Sequence, residues 1–113
     1  MDIKRYDWDK IANDLTGGNY KLITTFGDDF DIADAFGIDA IQDTYNRAFN
    51  SWKTDYKYIT ELCMILNWKC HMHYQLGNPE YSELYSKLFY KLQRWCYSHL
   101  KNDELTYFLD TTD

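Results

Sequence analysis

Apolar residues recur every three or four positions along most of this chain, which is the spacing of one side of an α-helix. Before residue 54 the pattern predicts three short helices, over about residues 7–15, 25–36 and 38–52. Gly37 separates the second from the third, as a glycine commonly does at a helix end. Residues 19–25 form a connector, and this is the one place where the pattern allows a short strand.

The same spacing predicts which side chains of the second and third helices face inward. In the second helix these are Phe26, Phe30, Ala33 and Phe36. In the third helix they are Ile38, Ile41, Tyr45, Ala48, Phe49 and Trp52. Thr25, with Asp28 three residues later, resembles a capping arrangement at the start of the second helix.

The second half of the chain predicts a long antiparallel helix hairpin. Residues 54–76 are apolar on nearly every side, which is typical of a buried helix. "GNPE" then supplies a terminating glycine and a proline near the start of the next helix, which extends over about 80–101. A short terminal helix, "DELTYFL", follows. The expectation is one all-α domain over residues 1–113, a small bundle built on this hairpin.

Composition and charge restrict the function. The chain has 18 acidic and 12 basic residues, and its net charge of −6 opposes non-specific binding to nucleic acid or an anionic membrane. No apolar run approaches the roughly 18 residues of a membrane span, and the first residues lack an apolar targeting segment. Three cysteines do not make a disulfide framework. We therefore expect a cytoplasmic protein with three reduced core thiols.

Residues 31–49 resemble a helix-turn-helix, with Gly37 at the turn. That motif buries apolar residues about six and nine positions after the glycine, where this chain has Asp43 and Asn46. Six aspartates and no lysine or arginine lie in residues 28–43, so this segment would repel the closely spaced phosphates of DNA. A tight turn between two packed helices explains the pattern better than DNA binding does.

Two cysteine–histidine pairs are candidate metal ligands, Cys70 with His73 and Cys96 with His99. In a hairpin that turns near residue 78 the two pairs lie about ten residues apart along the axis, roughly 15 Å. Zinc bonds of roughly 2.0–2.3 Å do not bridge that distance. We predict no metal and no cofactor, although the sequence leaves open whether either pair ever binds a metal.

No catalytic motif stands out. The acidic run "DDFDIAD" lacks the glycine and the twelfth-position glutamate of a calcium-binding EF-hand loop. Paired catalytic carboxylates need environments that differ, and a run of exposed aspartates offers no such difference. There is no phosphate-binding glycine loop and no serine nucleophile motif. We therefore predict that the protein is not an enzyme.

Two surfaces of opposite charge remain as candidate interaction sites. The first, the acidic face, carries Asp28, Asp29, Asp31, Asp34, Asp39 and Asp43. The second, the basic aromatic face of the last long helix, carries Lys87, Tyr90, Lys91, Arg94, Tyr97 and Lys101. Tyrosine and arginine are enriched in protein–protein interfaces, and 19% of this chain is aromatic. The alternative interpretation of the second surface is a solvated outer face covered by long side chains.

The run "TFGDDFDIADAFGIDAIQDTYNRAFNSWKTDYKYITEL", continuing into "MILNWK", resembles small proteins carried on bacterial mobile elements such as conjugative transposons and phages. The resemblance covers about the middle half of the chain. It is one of overall texture, and it implies no established activity and no functional residues. It does imply a bacterial accessory protein.

These observations lead to two hypotheses of different classes. The first is a non-enzymatic protein–protein interaction module, an accessory or host-directed inhibitor protein of a mobile element, whose partner is another protein or a second copy. The alternative is a nucleic-acid-binding protein that uses the basic aromatic face or residues 31–49. Neither hypothesis involves a membrane.

Overall fold

The computed structural model describes residues 26–52 and 55–112, together with Asp7 and Lys10. The described residues contain no strand and form the helices α1 (Phe26–Phe36), α2 (Ile38–Trp52), α3 (Tyr56–Gln75), α4 (Pro79–His99) and α5 (Asp103–Thr112). The prediction of an all-α protein is therefore confirmed. None of these five helices combines the length and the apolar character needed to cross a membrane.

Residue contacts divide the chain into two compact units, Met1–Ala48 and Phe49–Asp113. The single domain over residues 1–113 stays a prediction. Most of the first predicted helix lies outside the described residues, as do the connector over 19–25 and the cap at Thr25. Of that helix, Asp7 Oδ1 accepts a hydrogen bond of 3.1 Å from the backbone N–H of Lys10.

Gly37 forms the corner between α1 and α2. Its φ of +114° lies in a region that residues with a side chain rarely adopt, so a glycine is needed here. The backbone N–H of Gly37 donates to the carbonyl of Ala33 at 3.0 Å, and the N–H of Ile41 donates to the carbonyl of Gly37 at 3.2 Å. Phe30, Ala33, Ile41 and Tyr45 are buried, as their spacing predicts.

The residues on either side of Gly37 are exposed, contrary to the prediction that they face inward. The exposed fraction is 75% for Phe36 and 37% for Ile38. At 3.6 residues per turn, Phe36 lies about 180° around α1 from the buried Gly27. The buried side of α1 therefore faces away from Phe36. Phe36 is also the last residue of the helix. Phe36 and Ile38 together are called the apolar corner below.

The break between α3 and α4 follows the glycine and proline of the sequence. Gly77 has a φ of +78°, and the backbone N–H of Asn78 donates to the carbonyl of His73 at 2.8 Å, a hydrogen bond that closes the end of α3. Pro79 occupies the first turn of α4. A backbone N–H in the first turn has no acceptor within the helix, so a proline there costs no helical hydrogen bond. Three residues, 76–78, thus connect α3 to α4.

Within Phe49–Asp113, α3 packs mainly against α4, and α5 contacts both. Every residue of α3 from Ile59 to Leu66 is buried. Side chains that are at most 3% exposed fill this core: Ile59, Leu62, Cys63, Ile65, Leu66, Tyr85, Leu88, Leu92, Cys96 and Phe108. A helix surrounded in this way has no polar side, which explains its nearly continuous apolar sequence.

Asp55 caps the start of α3, and its removal is expected to lower stability. Its side chain accepts a hydrogen bond of 3.0 Å from the N–H of Lys57. Asp55→Ala is expected to reduce the free energy of unfolding by about 1 kcal/mol, because one N–H of the first turn loses its acceptor. Urea unfolding followed by circular dichroism measures the change. Asp55→Ser keeps an acceptor and should stay close to the wild type; an equal loss in both variants would contradict the capping role.

Candidate functional site

The six aspartates of the predicted acidic face do not share one environment. Asp29, Asp39 and Asp43 are exposed. Asp28 and Asp34 are half-buried, and Asp31 is fully buried. The inclusion of Asp31 in an exposed acidic face is therefore wrong. Asp31 lies beside Phe30 and one turn after Gly27, which places it on the buried side of α1.

Arg47 offsets part of the remaining negative charge. The pKa of the Asp29 carboxyl is raised, chiefly because neighbouring protein atoms replace part of its water; nearby Arg47 acts in the opposite direction, and Asp28 adds to the rise. Asp39 and Asp43 lie one turn apart on α2 and are both exposed. Both carboxylates are therefore accessible to solvent.

The basic aromatic face is exposed at every predicted position. Five of its residues lie on α4: Lys87, Tyr90, Lys91, Arg94 and Tyr97. At 3.6 residues per turn these positions fall within an arc of about 120° around the helix axis. Lys101 follows just beyond Leu100, the C-cap residue of α4, and is also exposed. The structure thus brings the side chains of this face onto one continuous surface.

The opposite side of α4 is the core side. Its buried residues are Ser82, Tyr85, Leu88, Leu92 and Cys96. These positions are centred about half a turn away from the basic aromatic face. Burial of the core side holds α4 in one rotational setting, and that setting points the lysines, the arginine and the two tyrosines outward.

Neighbouring rings hold the two tyrosines of the face while leaving them accessible. Tyr90 is 53% exposed and meets Phe89 edge-on, with ring centroids 5.2 Å apart. Tyr97 is 51% exposed and meets the buried Phe108 of α5 edge-on at 6.0 Å. Rings that are already held lose little conformational freedom when a partner binds.

One acidic side chain borders the face at its N-terminal end. Glu83 Oε1 lies 3.3 Å from Lys87 Nζ, and both side chains are about 70% exposed. An ion pair this accessible contributes little to stability because water and salt screen it. The pair therefore holds Lys87 only weakly.

Cys70 and His73 belong to the packing between α3 and α4. The ring of His73 stacks on Tyr85, with centroids 5.5 Å apart, and Nδ1 of His73 accepts a hydrogen bond of 3.2 Å from Asn78 Nδ2. The carbonyl of Cys70 accepts a hydrogen bond of 2.9 Å from Ser82 Oγ. His73 is only 4% exposed. These contacts give both residues a structural role at the turn.

The second cysteine–histidine pair is split between core and surface. Cys96 is buried, whereas His99 is exposed and stacks on Trp95 with ring centroids 4.3 Å apart. Among the described residues, no group of three or more His, Cys, Asp or Glu side chains is arranged to hold a metal ion.

The three thiols are free, and two of them lie in the core. Burial raises the pKa of Cys63, and the neighbouring Cys96 raises it further; burial raises the pKa of Cys96 to about 12. Both thiols are protonated at neutral pH, and the thiol form is a poor nucleophile.

Two buried charged residues of α3 were not singled out from the sequence. Glu61 is 1% exposed and Lys69 is 0% exposed, although glutamate and lysine are rarely buried unless they are paired. The signal was present, since each interrupts an otherwise apolar stretch, in "TELCMIL" and "NWKC". The apolar corner was also missed, because its residues fit the inward spacing.

The surfaces described above have to be interpreted from this chain's own residues. The chain matches no protein-family model, no curated protein and no solved structure.

Proposed function

We propose that this protein is a non-enzymatic protein–protein interaction module whose basic aromatic face binds an acidic surface of a protein partner. The observation that supports the proposal is the arrangement of α4, in which the core side and the basic aromatic face lie about half a turn apart. Four cations and two half-exposed tyrosines then form one accessible surface. Tyrosine and arginine are enriched in protein–protein interfaces.

An acidic protein partner fits this face better than nucleic acid does. The face carries positive charge, but the chain as a whole carries −6, so the rest of the molecule repels a long phosphate backbone. A folded acidic surface presents its charge locally and avoids that repulsion, because charges more than about 8 Å apart are screened at physiological salt. Complementary charge also speeds encounter and rejects wrong partners.

Nucleic-acid binding through the same face remains the second candidate, because Lys87, Lys91 and Arg94 follow one side of a helix. Residues 31–49 are a weaker candidate. Asp43 and Asn46 are exposed there, while Ile41, Thr44 and Tyr45 are buried, and this register differs from that of a helix-turn-helix.

The biological setting proposed here follows from the resemblance of the sequence. The module acts in the cytoplasm of a bacterium as an accessory or host-directed inhibitor protein of a mobile element. The antiparallel hairpin of α3 and α4 serves as its rigid scaffold. Within this setting, the acidic face provides a second surface, one whose charge resembles that of DNA.

Capture from a bacterial lysate tests the proposal. The bait proteins are the wild type, a basic-face variant (Lys87→Glu with Arg94→Glu) and a control variant (Lys10→Glu with Lys57→Glu). The control has the same net charge as the basic-face variant, and its two substitutions are at exposed positions that do not belong to the face. Circular dichroism verifies that all three baits are folded.

We expect the wild type and the control to retain the same acidic proteins, and the basic-face variant to retain about tenfold less or lower still, because reversed charges repel the partner. Nuclease treatment of the lysate should change nothing. Loss of all captured protein after nuclease treatment would favour nucleic-acid binding. Equal capture by the basic-face variant would overturn the proposal, and so would an absence of captured protein from a wild type that is also monomeric.

A further inference from the structure

The apolar corner is an exposed hydrophobic surface at a rigid position. Phe36 is 75% exposed and Ile38 is 37% exposed, and Gly37 between them has a φ of +114°. Hydrogen bonds on both sides of Gly37 hold the backbone at this corner. The backbone that carries this aromatic side chain is therefore already ordered before a contact forms, and burying the ring removes apolar surface from water.

Exposed acidic side chains follow the corner along α2. Asp39 directly follows Ile38 and is exposed, and Asp43 is exposed one turn further along α2. Asp34 precedes the corner but is half-buried and lies about 160° around α1 from Phe36. Exposed apolar surface and exposed negative charge therefore occur together at the start of α2, and Asp39 and Asp43 are called the acidic border of the corner below.

The basic aromatic face offers complementary groups. The rings of Tyr90 and Tyr97, each about half exposed, lie along one edge of its arc, and the cations of Lys87 and Arg94 lie beside them. Aromatic rings pack favourably on other aromatic and apolar groups, and carboxylates pair with lysine and arginine. The apolar corner therefore matches the tyrosine edge, and the acidic border matches the cations.

We infer that a second copy of this chain is a partner of the basic aromatic face, and that it docks through its apolar corner and the adjoining Asp39 and Asp43. The inference rests on the proposed function, since it names the partner of the same face. The two surfaces differ, so the contact is heterologous, with an unlike surface contributed by each copy.

The charge distribution sets the conditions under which this contact forms. Each copy carries −6, so two copies repel one another unless the basic aromatic face of one meets the acidic border of the other. The attraction is local and electrostatic. Raising the salt to about 1 M shortens the screening length to about 3 Å and should weaken the contact.

Light scattering after size exclusion tests the inference, using two variants that each destroy one surface. The corner variant carries Phe36→Ser and Asp39→Asn. The basic-face variant, Lys87→Glu with Arg94→Glu, keeps the corner intact. A control variant, Tyr74→Ser with Asp110→Asn, removes a ring that is 77% exposed in the wild type together with an exposed carboxylate elsewhere.

We expect the wild type and the control to exceed the monomer mass of 13.6 kDa, and their mass to rise with concentration and fall at high salt. Each single-surface variant should remain at the monomer mass. An equimolar mixture of the two should reach about twice that mass, because the corner of one variant and the face of the other restore one intact contact. A monomeric wild type, or a mixture that stays monomeric, would overturn the inference.

The result is separable from that of the lysate experiment. A monomeric wild type whose capture of acidic proteins still depends on Lys87 and Arg94 would reject the second copy as the partner and leave the proposed function intact. Assembly that survives in the basic-face variant would also reject the inference. Failure of both experiments would reject the proposed function as well.

Discussion

Replacing Tyr85 with alanine is expected to lower the free energy of unfolding by about 3 to 5 kcal/mol, the range typical of truncating a buried aromatic ring. Tyr85 is 0% exposed, lies on the core side of α4 and stacks on His73 with the two rings nearly parallel. The substitution leaves a cavity between α3 and α4 and also removes the ring contact. Urea unfolding followed by tryptophan fluorescence and circular dichroism measures the loss.

Tyr90→Ala is the matched control for this prediction. Tyr90 is on the same helix, five residues later, but it is 53% exposed and belongs to the basic aromatic face. Its truncation is expected to change stability by no more than about 0.5 kcal/mol, as is usual for surface positions. Comparable losses at Tyr85 and Tyr90 would contradict the assignment of core and exposed sides of α4.

Stability is expected to fall steeply at alkaline pH because of the two core thiols. The pKa values of Cys63 and Cys96 are both raised from 9.0, the value for an ordinary cysteine, in Cys96 to about 12. Above about pH 9 the unfolded chain loses these thiol protons while the folded chain keeps them. The folded state then binds more protons, so the free energy of unfolding decreases as pH rises, by about 1.4 kcal/mol per pH unit for each thiol.

Urea unfolding at several pH values between about 8 and 11, with a reductant present, measures this slope. Tyrosines and lysines also titrate in this range, so the comparison is with a Cys63→Ala, Cys96→Ala variant. The variant is less stable overall because two core side chains are truncated. Its stability should nevertheless fall less steeply with pH than that of the wild type. Equal slopes would show that the thiols ionise in the folded state as easily as in the unfolded chain.

The amphipathic pattern of α4 is strong enough to place both of its sides from the sequence. Core residues such as Leu88 and Leu92 recur at helical spacing, and the basic residues Lys87, Lys91 and Arg94 recur at similar spacing on the other side. Apolar groups gain by leaving water, while lysine and arginine lose by doing so, so the two kinds of residue divide between the sides. The exposed positions of the basic aromatic face agree with that division.

The buried and exposed sides of α1 could not be predicted from the sequence in the same way. Its apolar and acidic residues alternate closely, as in "DDFDIADAFGID", so several rotational settings of α1 bury some apolar groups and some carboxylates. The observed setting buries Asp31 and exposes Phe36. The sequence pattern shows how polar each side of a helix is on average. It does not show which contacts from the rest of the fold compensate the burial of a single carboxylate such as that of Asp31.

The sequence by itself determined that this protein is helical and where its helices break. A glycine at each of two positions with positive φ and a proline that starts α4 act through local backbone energetics. Helical periodicity adds an apolar side to each helix, and burial of that side favours the helix wherever it packs. Only the tertiary structure decided that Asp31, Glu61 and Lys69 are buried and that the apolar corner is exposed. Burial of a charge depends on partners from elsewhere in the fold, and local sequence carries no record of those partners.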